Sequence, residues 1–595
     1  MGEYFIDPHI ETPSFDLTLT PAYSTQNHNH DLQIPIGIDV TMRLKVAYDR
    51  FTRGSPFLVH SLNRGPTETA RYDSDAITAS HSSGRKLSLR YDDNKKGGDV
   101  VRTWYLIEAP TEQNIVVRFF APARKTDKTT QSGPRIDLRK DVGGGLVGQG
   151  DGFIPIVPDL EREGSSVKPE EWDVSVQWHL GGAPEGTKGA WSLGDEVISR
   201  TKRSLESAIS QGIFAVGHLE RYPSWSSSIS PVADGDPAFA MYWLGNPPFD
   251  MNTIPPTTAA LFRSIASFFS SQNPFRVFIR QVETGSGGTG ATDSFLYEYS
   301  SLTWQQETMD SLVDLLAHEI VHEYSLLDSK PSPADDQQEL ESAWYNEGIA
   351  SYYGAIASFR GGAISRGQLI QFLNGYAQAY YTSPVRGMNY GDVLRQYWDN
   401  VHFLRVSYWR GFLYLAAENG RIAAATNGGK SLDNVVLDLY RRRLQHEPHD
   451  LKDYRSLVAG ILGKEAETKN YDAMYGGDLV IPSEDCFASL GLKLIRRDAE
   501  MYELGCDING FSRQRIVKDL VKDSRAEKAG LREGDKLVDA WMVWTSADSL
   551  NGMMQATVSR DDQDTVIRWW PRSYKKVECY AWVEDGTEES MAREQ

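Results

Sequence analysis

The segment LLAHEIVHEY, residues 315–324, holds two histidines four positions apart and a glutamate beside the first. On a helix, residues four apart lie on one face, so His318 and His322 can direct both imidazoles at one metal ion. Glu319 is rotated by about 100° around the helix axis, which points its carboxylate beside that metal. Zinc lowers the pKa of a bound water to about 7, and a neighbouring carboxylate can accept the proton. The spacing therefore predicts a hydrolytic zinc site; the alternative is a helix with two solvent-facing or hydrogen-bonded histidines.

A catalytic zinc needs three protein ligands and one open position. The segment AWYNEGIASYY, which includes Glu347, follows the histidine motif after a helix end and a loop. Two histidines from one helix and Glu347 from the next would complete the ligand set for one Zn²⁺ per chain. The alternative for Glu347 is a solvated carboxylate on a helix face.

Helical periodicity surrounds these residues. MDSLVDLLA, directly before the first histidine, forms an amphipathic pattern, which is the context that a metal-binding helix requires. Four further segments, closing with SLDNVVLDLYRRRL, predict a helical region to about residue 470, and the polar stretch 328–342 predicts a loop within it. TTAALFRSIASFFSS predicts a helix before the motif, and FRVFIRQV, residues 275–282, a short strand. SLGDEVISRTKRSLESAI, residues 192–209, also shows helical spacing, and we expect a helix there.

Residues 15 to about 190 alternate apolar and polar residues between clusters of Gly, Asn, Asp and Pro, which predicts strands. Short strands return after about residue 480. The formal net charge of −19 argues against nucleic acid or an anionic membrane as the main partner. The chain lacks an apolar run long enough for a transmembrane helix. Its three cysteines do not suggest a disulfide framework, so we expect a reducing, cytoplasmic setting.

HEIVHEY followed by WYNEGIASYY resembles the gluzincin metallopeptidases, whose third zinc ligand is a glutamate on the following helix. The order of the parts resembles the glycyl aminopeptidase family. This resemblance implies a multidomain α+β protein with an N-terminal β-rich domain at 1–190, a thermolysin-like, α-rich catalytic domain at 191–475 and a C-terminal PDZ-like β domain at 476–595. It implies zinc ligands His318, His322 and Glu347, with Glu319 as the general base.

The same resemblance assigns a tyrosine. The family has a Tyr-x-Lys-Gly-like motif on a later helix, and VSYWRGFLYL matches it at Tyr408, with Arg410 where lysine is usual and Gly411 following. The implied role of Tyr408 is to donate a hydrogen bond to the oxyanion of the tetrahedral intermediate. The alternative is an ordinary buried aromatic side chain.

The glycine-rich stretch SGGTGATDSF, residues 286–295, departs from the family pattern. A Gly-Gly-x-Glu-His-like motif is expected there, and its glutamate helps to hold the free α-ammonium of an aminopeptidase substrate. Gly287, Gly288, Thr289 and Gly290 can still run beside an extended substrate through main-chain hydrogen bonds. Gly290 stands at the glutamate position, and Asp293 is a nearby candidate to replace that glutamate.

SRAEKAGLREGDKLVDA, near the C-terminus, resembles a PDZ segment, with Gly530 and Gly534 at turn positions that need unusual φ. A peptide C-terminus is therefore a candidate partner of this region; the alternative is a packed accessory domain that binds nothing.

Three functions stay open. The first is an active zinc metallopeptidase, aminopeptidase-like, acting on peptides or aminoacyl amides. The second is a zinc hydrolase of an unusual small or N-blocked substrate, or an endopeptidase, which Gly290 motivates. The third is a catalytically weak scaffold that binds peptides through its PDZ-like domain.

Overall fold

The structure is a computed structural model that describes residues 12–25, 33–47, 49–96, 98–127, 130, 133–159, 169–227, 236–283, 285–325, 327 and 340–586. Two compact units make up the chain: residues 1–256 with 272–301, and residues 257–271 with 302–595. Most of the loop predicted at 328–342 lies outside the described residues.

The first unit is built almost entirely of strands. Its strands are β1 (Ser14–Thr25), β2 (Gln33–Lys45), β3 (Pro56–Ser61), β4 (Asn63–Arg64), β5 (Thr67–Glu68), β6 (Thr78–His81), β7 (Lys86–Leu87), β8 (Leu89–Lys96), β9 (Asp99–Leu106), β10 (Asn114–Pro122), β11 (Arg139–Lys140), β12 (Leu146–Gln149), β13 (Trp172–Trp178), β14 (Lys188–Trp191), β15 (Ile198–Arg203), β16 (Ile213–Gly217), β17 (Leu219–Tyr222), β18 (Phe239–Leu244), β19 (Phe275–Gln281), β20 (Gly287–Ala291) and β21 (Ser294–Tyr299).

The largest sheet of this unit has seven strands in the order β15-β13-β1-β2-β10-β6-β7. Its alternation follows the sequence: Phe15, Leu17 and Leu19 of β1 are buried, while the intervening side chains are exposed or half-buried. Leu17 pairs with Met42 of β2 in the antiparallel register, which places two buried side chains side by side. A one-residue slip would turn this apolar row to solvent, so burial fixes the register.

The last strands of the first unit form a five-stranded sheet in the order β17-β18-β19-β21-β20. The pairs β18–β19 and β19–β21 are parallel, and β20, the glycine strand, runs antiparallel to β21 at the sheet edge. β19 is buried at six of its seven residues, which explains its near-continuous apolar and arginine sequence.

The second unit is mainly helical. Its helices are α1 (Ile254–Phe269), α2 (Ser301–Trp304), α3 (Met309–Ser325), α4 (Ala343–Arg360), α5 (Arg366–Thr382), α6 (Tyr390–Arg395), α7 (Val401–Ala425), α8 (Leu432–Leu444), α9 (Leu451–Leu462), α10 (Lys464–Gly476), α11 (Arg525–Lys528) and α12 (Val543–Ala547), where α1 and α2 begin at the junctions with the first unit. The predicted helices of the 310–444 region and the helix at 257–271 are all present.

Five strands complete this unit. β22 (Leu492–Tyr502) pairs with β26 (Arg572–Glu584), and β23 (Lys536–Ala540), β24 (Met554–Arg560) and β25 (Gln563–Trp569) form a three-stranded sheet. Gly530 and Gly534 adopt positive φ values of 108° and 82°, as their turn positions predicted. The mixed, multidomain α and β character of the chain is therefore confirmed, while the three domain boundaries stay a prediction.

The helix predicted at 192–209 is wrong. The structure has strand β15 over residues 198–203, antiparallel to β13, followed by a short π-helical turn at residues 206–210. Pairing with β13 overrides the local helical spacing, because it extends the large sheet and supplies backbone hydrogen bonds that a local pattern cannot reveal.

Among the described helices, none is both long and apolar enough to cross a membrane. The expectation of a cytoplasmic setting stays a prediction.

Candidate active site

Helix α3 carries the histidine motif. It begins where the Ser311 backbone N–H donates to Thr308 Oγ1 at 3.1 Å, a cap that satisfies one of the free amides of the first turn. Its apolar residues Leu312, Leu316 and Ile320 are buried and anchor the helix in the unit. The motif is therefore presented from a rigid helix, as the sequence predicted.

Helix α4 lies directly against α3. A Cβ added at Gly354 would come within 3.1 Å of the His318 backbone nitrogen, so glycine permits this close approach. Glu347 lies two helical turns earlier on α4, and this packing brings its carboxylate to the two histidines.

His318, His322 and Glu347 form one group of ligand atoms that all lie within 4.8 Å of one another. His318 Nε2 lies 3.1 Å from Glu347 Oε2 and 3.1 Å from His322 Nε2, and His322 Nε2 lies 3.5 Å from Glu347 Oε2. A tetrahedral zinc with ligand bonds of about 2.0–2.1 Å separates its ligand atoms by about 3.3 Å. Both the donor types and the spacing therefore fit a zinc ion.

The charge states of the three groups suit metal binding. Burial lowers the pKa of His318. Burial also favours a protonated Glu347, but hydrogen bonds and charges of the two histidines outweigh it and hold its pKa far below the usual range. At His322 the same Glu347 outweighs burial and raises the pKa. Glu347 is thus an ionised carboxylate facing two imidazoles, and a metal ion would bind as the protons leave.

Ser351 supports the first ligand. His318 Nδ1 lies 3.2 Å from Ser351 Oγ, so the ring keeps Nε2 turned toward the metal position. The sequence did hold a signal for this residue, because Ser351 follows Glu347 by one helical turn and shares its face. His322 Nδ1 is buried and has no hydrogen-bond partner among the described residues.

Tyr408 of α7 contacts this cluster. Its ring stacks on the His318 ring at a centroid distance of 5.4 Å and an interplanar angle of 15°. The side chain is half-buried, and burial raises its pKa well above 10, so the phenol stays a protonated donor at neutral pH. The tyrosine predicted from the later helix is therefore beside the first ligand.

Helices α4 and α7 meet through two glycines. A Cβ on Gly348 would lie 2.5 Å from the Gly411 carbonyl carbon, and one on Gly411 would lie 1.8 Å from the Trp344 carbonyl oxygen. Neither addition is possible without moving a backbone. Gly348 directly follows Glu347, and Gly411 lies three residues after Tyr408. The helix crossing therefore fixes the separation of the Glu347 and Tyr408 side chains.

Glu319 is half-buried, directly after His318 on α3. The negative charge of Glu319 is among the factors that raise the pKa of His322, after burial and the bonds to Glu347. Its carboxylate is thus close enough to the cluster to affect a ligand electrostatically, as a general base there requires.

The glycine strand β20 belongs to the first unit. Arg135 holds it: the Arg135 N–H donates to Thr289 Oγ1 at 3.0 Å, and Nη1 donates to the Gly288 carbonyl at 2.9 Å. Gly290 is exposed, and a Cβ built there meets no heavy atom within 4 Å. Asp293, the candidate substitute for the missing glutamate, is 2% exposed and pairs with Arg203.

Two histidines and a glutamate on adjoining helices, with a tyrosine stacked on the first histidine, define a class of protein: the zinc-dependent metallopeptidases. Residues 311–390, which span α3 to the start of α6, match the model of the M61 glycyl aminopeptidase family. The predicted resemblance is confirmed over these residues, and with it the prediction of a zinc-dependent, aminopeptidase-like metallopeptidase.

One solved structure shares the fold, and two others are more distantly similar. An aminopeptidase N family protein from Idiomarina loihiensis is similar with a TM-score of 0.59 at 14% identity, over 97% of this chain and 99% of that chain. An M1 zinc metallopeptidase from Deinococcus radiodurans has a TM-score of 0.45 at 15% identity, over 79% and 96% of the two chains. Leukotriene A4 hydrolase from Saccharomyces cerevisiae has a TM-score of 0.44 at 14% identity, over 79% of this chain and 67% of that chain. No curated protein matches the chain in sequence.

Proposed function

We propose that His318, His322 and Glu347 hold the catalytic zinc of this metallopeptidase and that Glu319 and Tyr408 act on its substrate. The observation that carries the assignment is the triangle of ligand atoms with sides of 3.1, 3.1 and 3.5 Å. Three such donors in contact, with Ser351 fixing one ring, have the chemistry and dimensions of a three-ligand zinc site.

The residues divide the reaction between them. Zinc in this site would polarise the scissile carbonyl and lower the pKa of the attacking water. Glu319 accepts the proton of that water and later passes it to the leaving amine. Tyr408 donates a hydrogen bond to the carbonyl oxygen as negative charge develops there, which its high pKa permits.

Metal analysis of two variants tests this assignment. Wild-type protein should carry about one zinc per chain. Glu347→Ala should lose most of it, because two imidazoles alone bind zinc weakly, whereas Glu319→Gln should keep the metal and lower kcat by about 10²- to 10⁴-fold. Glu341→Ala, an exposed glutamate just before α4, is the matched control. Full zinc content in Glu347→Ala would show that the ligand assignment is wrong.

A second candidate is hydrolysis of N-blocked or internal peptide bonds. Two carboxylates near β20 are engaged: Asp293 pairs with Arg203, and Glu298 is fully buried against Arg280. Gly290 itself has no side chain. An amine anchor on this strand, which an aminopeptidase needs, is therefore missing at the position where the resemblance expects it.

Strand β20 keeps a main-chain role under either candidate. β20 is the last strand in the order of its sheet, so its outer edge pairs with no other strand among the described residues, and the Gly288 carbonyl accepts a hydrogen bond from Arg135. We propose that this edge, Gly287, Gly288, Thr289 and Gly290, pairs with an extended substrate.

Introducing the missing carboxylate separates the two candidates. Gly290→Glu fits without strain, because its Cβ position is open and its φ is not positive. On glycyl-4-nitroanilide and its N-acetyl form, an aminopeptidase should strongly prefer the free amine, whereas the second candidate predicts little preference in wild type. Gly290→Glu should raise that preference about tenfold, in line with one charge-assisted contact, while Gly290→Ala leaves it unchanged. A strong free-amine preference in wild type would exclude the second candidate.

We also propose that residues 476–595 form a PDZ-like domain, with the catalytic domain at 191–475 and the β-rich domain at 1–190. The turn from Ala526 to Leu531 and the positive φ values of Gly530 and Gly534 support this. A peptide C-terminus is the partner that such a domain would take. Fluorescence titration with carboxyl-terminal and amidated peptide libraries tests it, since recognition of the terminus requires the free carboxylate.

A further inference from the structure

The C-terminal region extends an acidic side chain to the helix that carries Tyr408. Asp548 follows α12 and accepts hydrogen bonds from two residues of α7: Arg405 Nε at 3.4 Å and Trp409 Nε1 at 3.1 Å. Arg405 Nη2 also donates to the second oxygen of Asp548. The pairing is therefore bidentate, which fixes the plane of the guanidinium as well as its distance.

Arg405 in turn contacts the proposed oxyanion donor. Its guanidinium carbon lies 4.4 Å from the centroid of the Tyr408 ring, within the range of a cation–π contact. Arg405 and Tyr408 are one turn apart on α7, so this contact requires a specific side-chain rotamer that Asp548 holds.

Asp548 is itself rigidly placed. Arg572 of β26 donates Nη2 to the carbonyls of Ser546, at 3.2 Å, and Ser549, which lie on either side of it. Arg572 is 1% exposed, so this clamp is part of the core of the C-terminal region. The clamp thus fixes the backbone on both sides of Asp548, from which its carboxylate reaches Arg405.

We propose that Asp548 and Arg405 are positioning residues for catalysis: the C-terminal region sets the orientation and the hydrogen-bond strength of the Tyr408 phenol. This inference rests on the proposed role of Tyr408 in the zinc site. A cation against the ring makes the phenol a stronger donor to developing negative charge, and it does so without touching the substrate. The C-terminal region would then contribute to the rate, whether or not it binds a peptide.

A double-mutant cycle tests the proposal. Probes are glycyl-4-nitroanilide, its N-acetyl form and, where neither is cleaved, a peptic digest of casein followed by release of new amines. We expect Asp548→Asn to lower kcat by about 5- to 20-fold, the range of a lost cation–π orientation, with KM within about twofold and zinc near one per chain. In a Tyr408→Phe background, Asp548→Asn should have no further effect, because it acts through the phenol.

The control disturbs the same packing without reaching Tyr408. Gln306 ties the C-terminal region to the helices by hydrogen bonds of 2.8 Å to both the N–H and the carbonyl of Met542. Gln306→Ala should lower the melting temperature at least as much as Asp548→Asn but leave kcat unchanged.

Each failure has its own signature. If Asp548→Asn lowers kcat equally in the wild-type and Tyr408→Phe backgrounds, or leaves it unchanged where Tyr408→Phe lowers it, the positioning role is wrong and the zinc site stands. If Tyr408→Phe itself has no effect on kcat, the proposed role of Tyr408 fails, and the inference falls with it.

Discussion

Asp141 shows how burial alone can make one carboxyl group pH-sensitive. It is 1% exposed and accepts backbone N–H bonds from Gln281, at 2.5 Å, and Gly143, at 2.6 Å. Burial outweighs these bonds and raises its pKa to about 7. The folded state thus holds a proton that the unfolded chain releases near pH 4. The contribution of Asp141 to the free energy of unfolding is fully present below about pH 4 and is lost as the pH rises toward 7.

We therefore expect wild type to lose stability relative to Asp141→Asn between pH 5 and pH 8, by an amount on the order of a few kcal/mol. The measurement is urea unfolding at both pH values, read by hydrogen exchange of peptides covering β19, which reports the first unit. An ion-paired aspartate would show the opposite pH dependence, because its contribution to stability is lost as the pH falls. An equal pH dependence in the two proteins would contradict the predicted pKa.

At the scale of residues, the sequence pointed to the proposed metal ligands but to few of the residues that support them. His318 and His322 share a face because of helix geometry, so their spacing is a local signal. Ser351 was accessible by the same reasoning from Glu347. Asp548 could not be predicted in this way. It lies 140 residues after Tyr408, in the C-terminal strand region, and only the folded chain brings the two residues together.

The crossing of α4 and α7 is the main constraint at the scale of elements. Gly411→Ala should push the helices apart, because its Cβ would lie 1.8 Å from the Trp344 carbonyl oxygen. We expect a loss of several kcal/mol in stability and a fall in kcat, as Tyr408 moves relative to Glu347. Thermal unfolding and steady-state kinetics measure the two effects.

Gly460 of α9 is the matched control, because a Cβ there meets no heavy atom within 4 Å. Alanine at that position should be neutral or stabilise by about 1 kcal/mol through its higher helix propensity. If Gly411→Ala behaves like Gly460→Ala, the crossing does not depend on backbone contact.

Helices proved easier to predict than strands. Those from α3 to α8 show apolar residues at helical spacing, and burial in the fold agrees with that local preference. Strand β15 was missed, since its pairing partner β13 lies more than 20 residues earlier and its own sequence is polar. The extent of the helical region and strand β19 of the preceding sheet were predictable, whereas the order and pairing of the strands were not.

At the scale of the whole molecule, the C-terminal region packs against helices of the second unit. Asn374 of α5 pairs with both backbone groups of Trp582, at 2.9 and 2.7 Å, and the Trp582 ring contacts Phe412 of α7 at 5.8 Å. Trp582 is fully buried. Removal of such a side chain costs about 3–5 kcal/mol, and removal of the region also exposes the helices that it covers.

A chain that ends at residue 476 should therefore aggregate or unfold at a much lower temperature than the full chain. Soluble yield and calorimetry provide the measurement, and Trp582→Ala in the full chain is the milder variant. A soluble 1–476 chain with zinc and a wild-type melting temperature would instead show that the helices do not need the C-terminal region for stability.

The meeting of Gly348 and Gly411 also limits how the enzyme can diverge. Where two helices touch through side chains, a sequence can drift by exchanging one residue for a slightly larger or smaller one. Here the contact is between backbones, and glycine is already the smallest residue. A lineage cannot adjust the spacing of Glu347 and Tyr408 by small steps at these two positions, so changes of specificity should accumulate elsewhere.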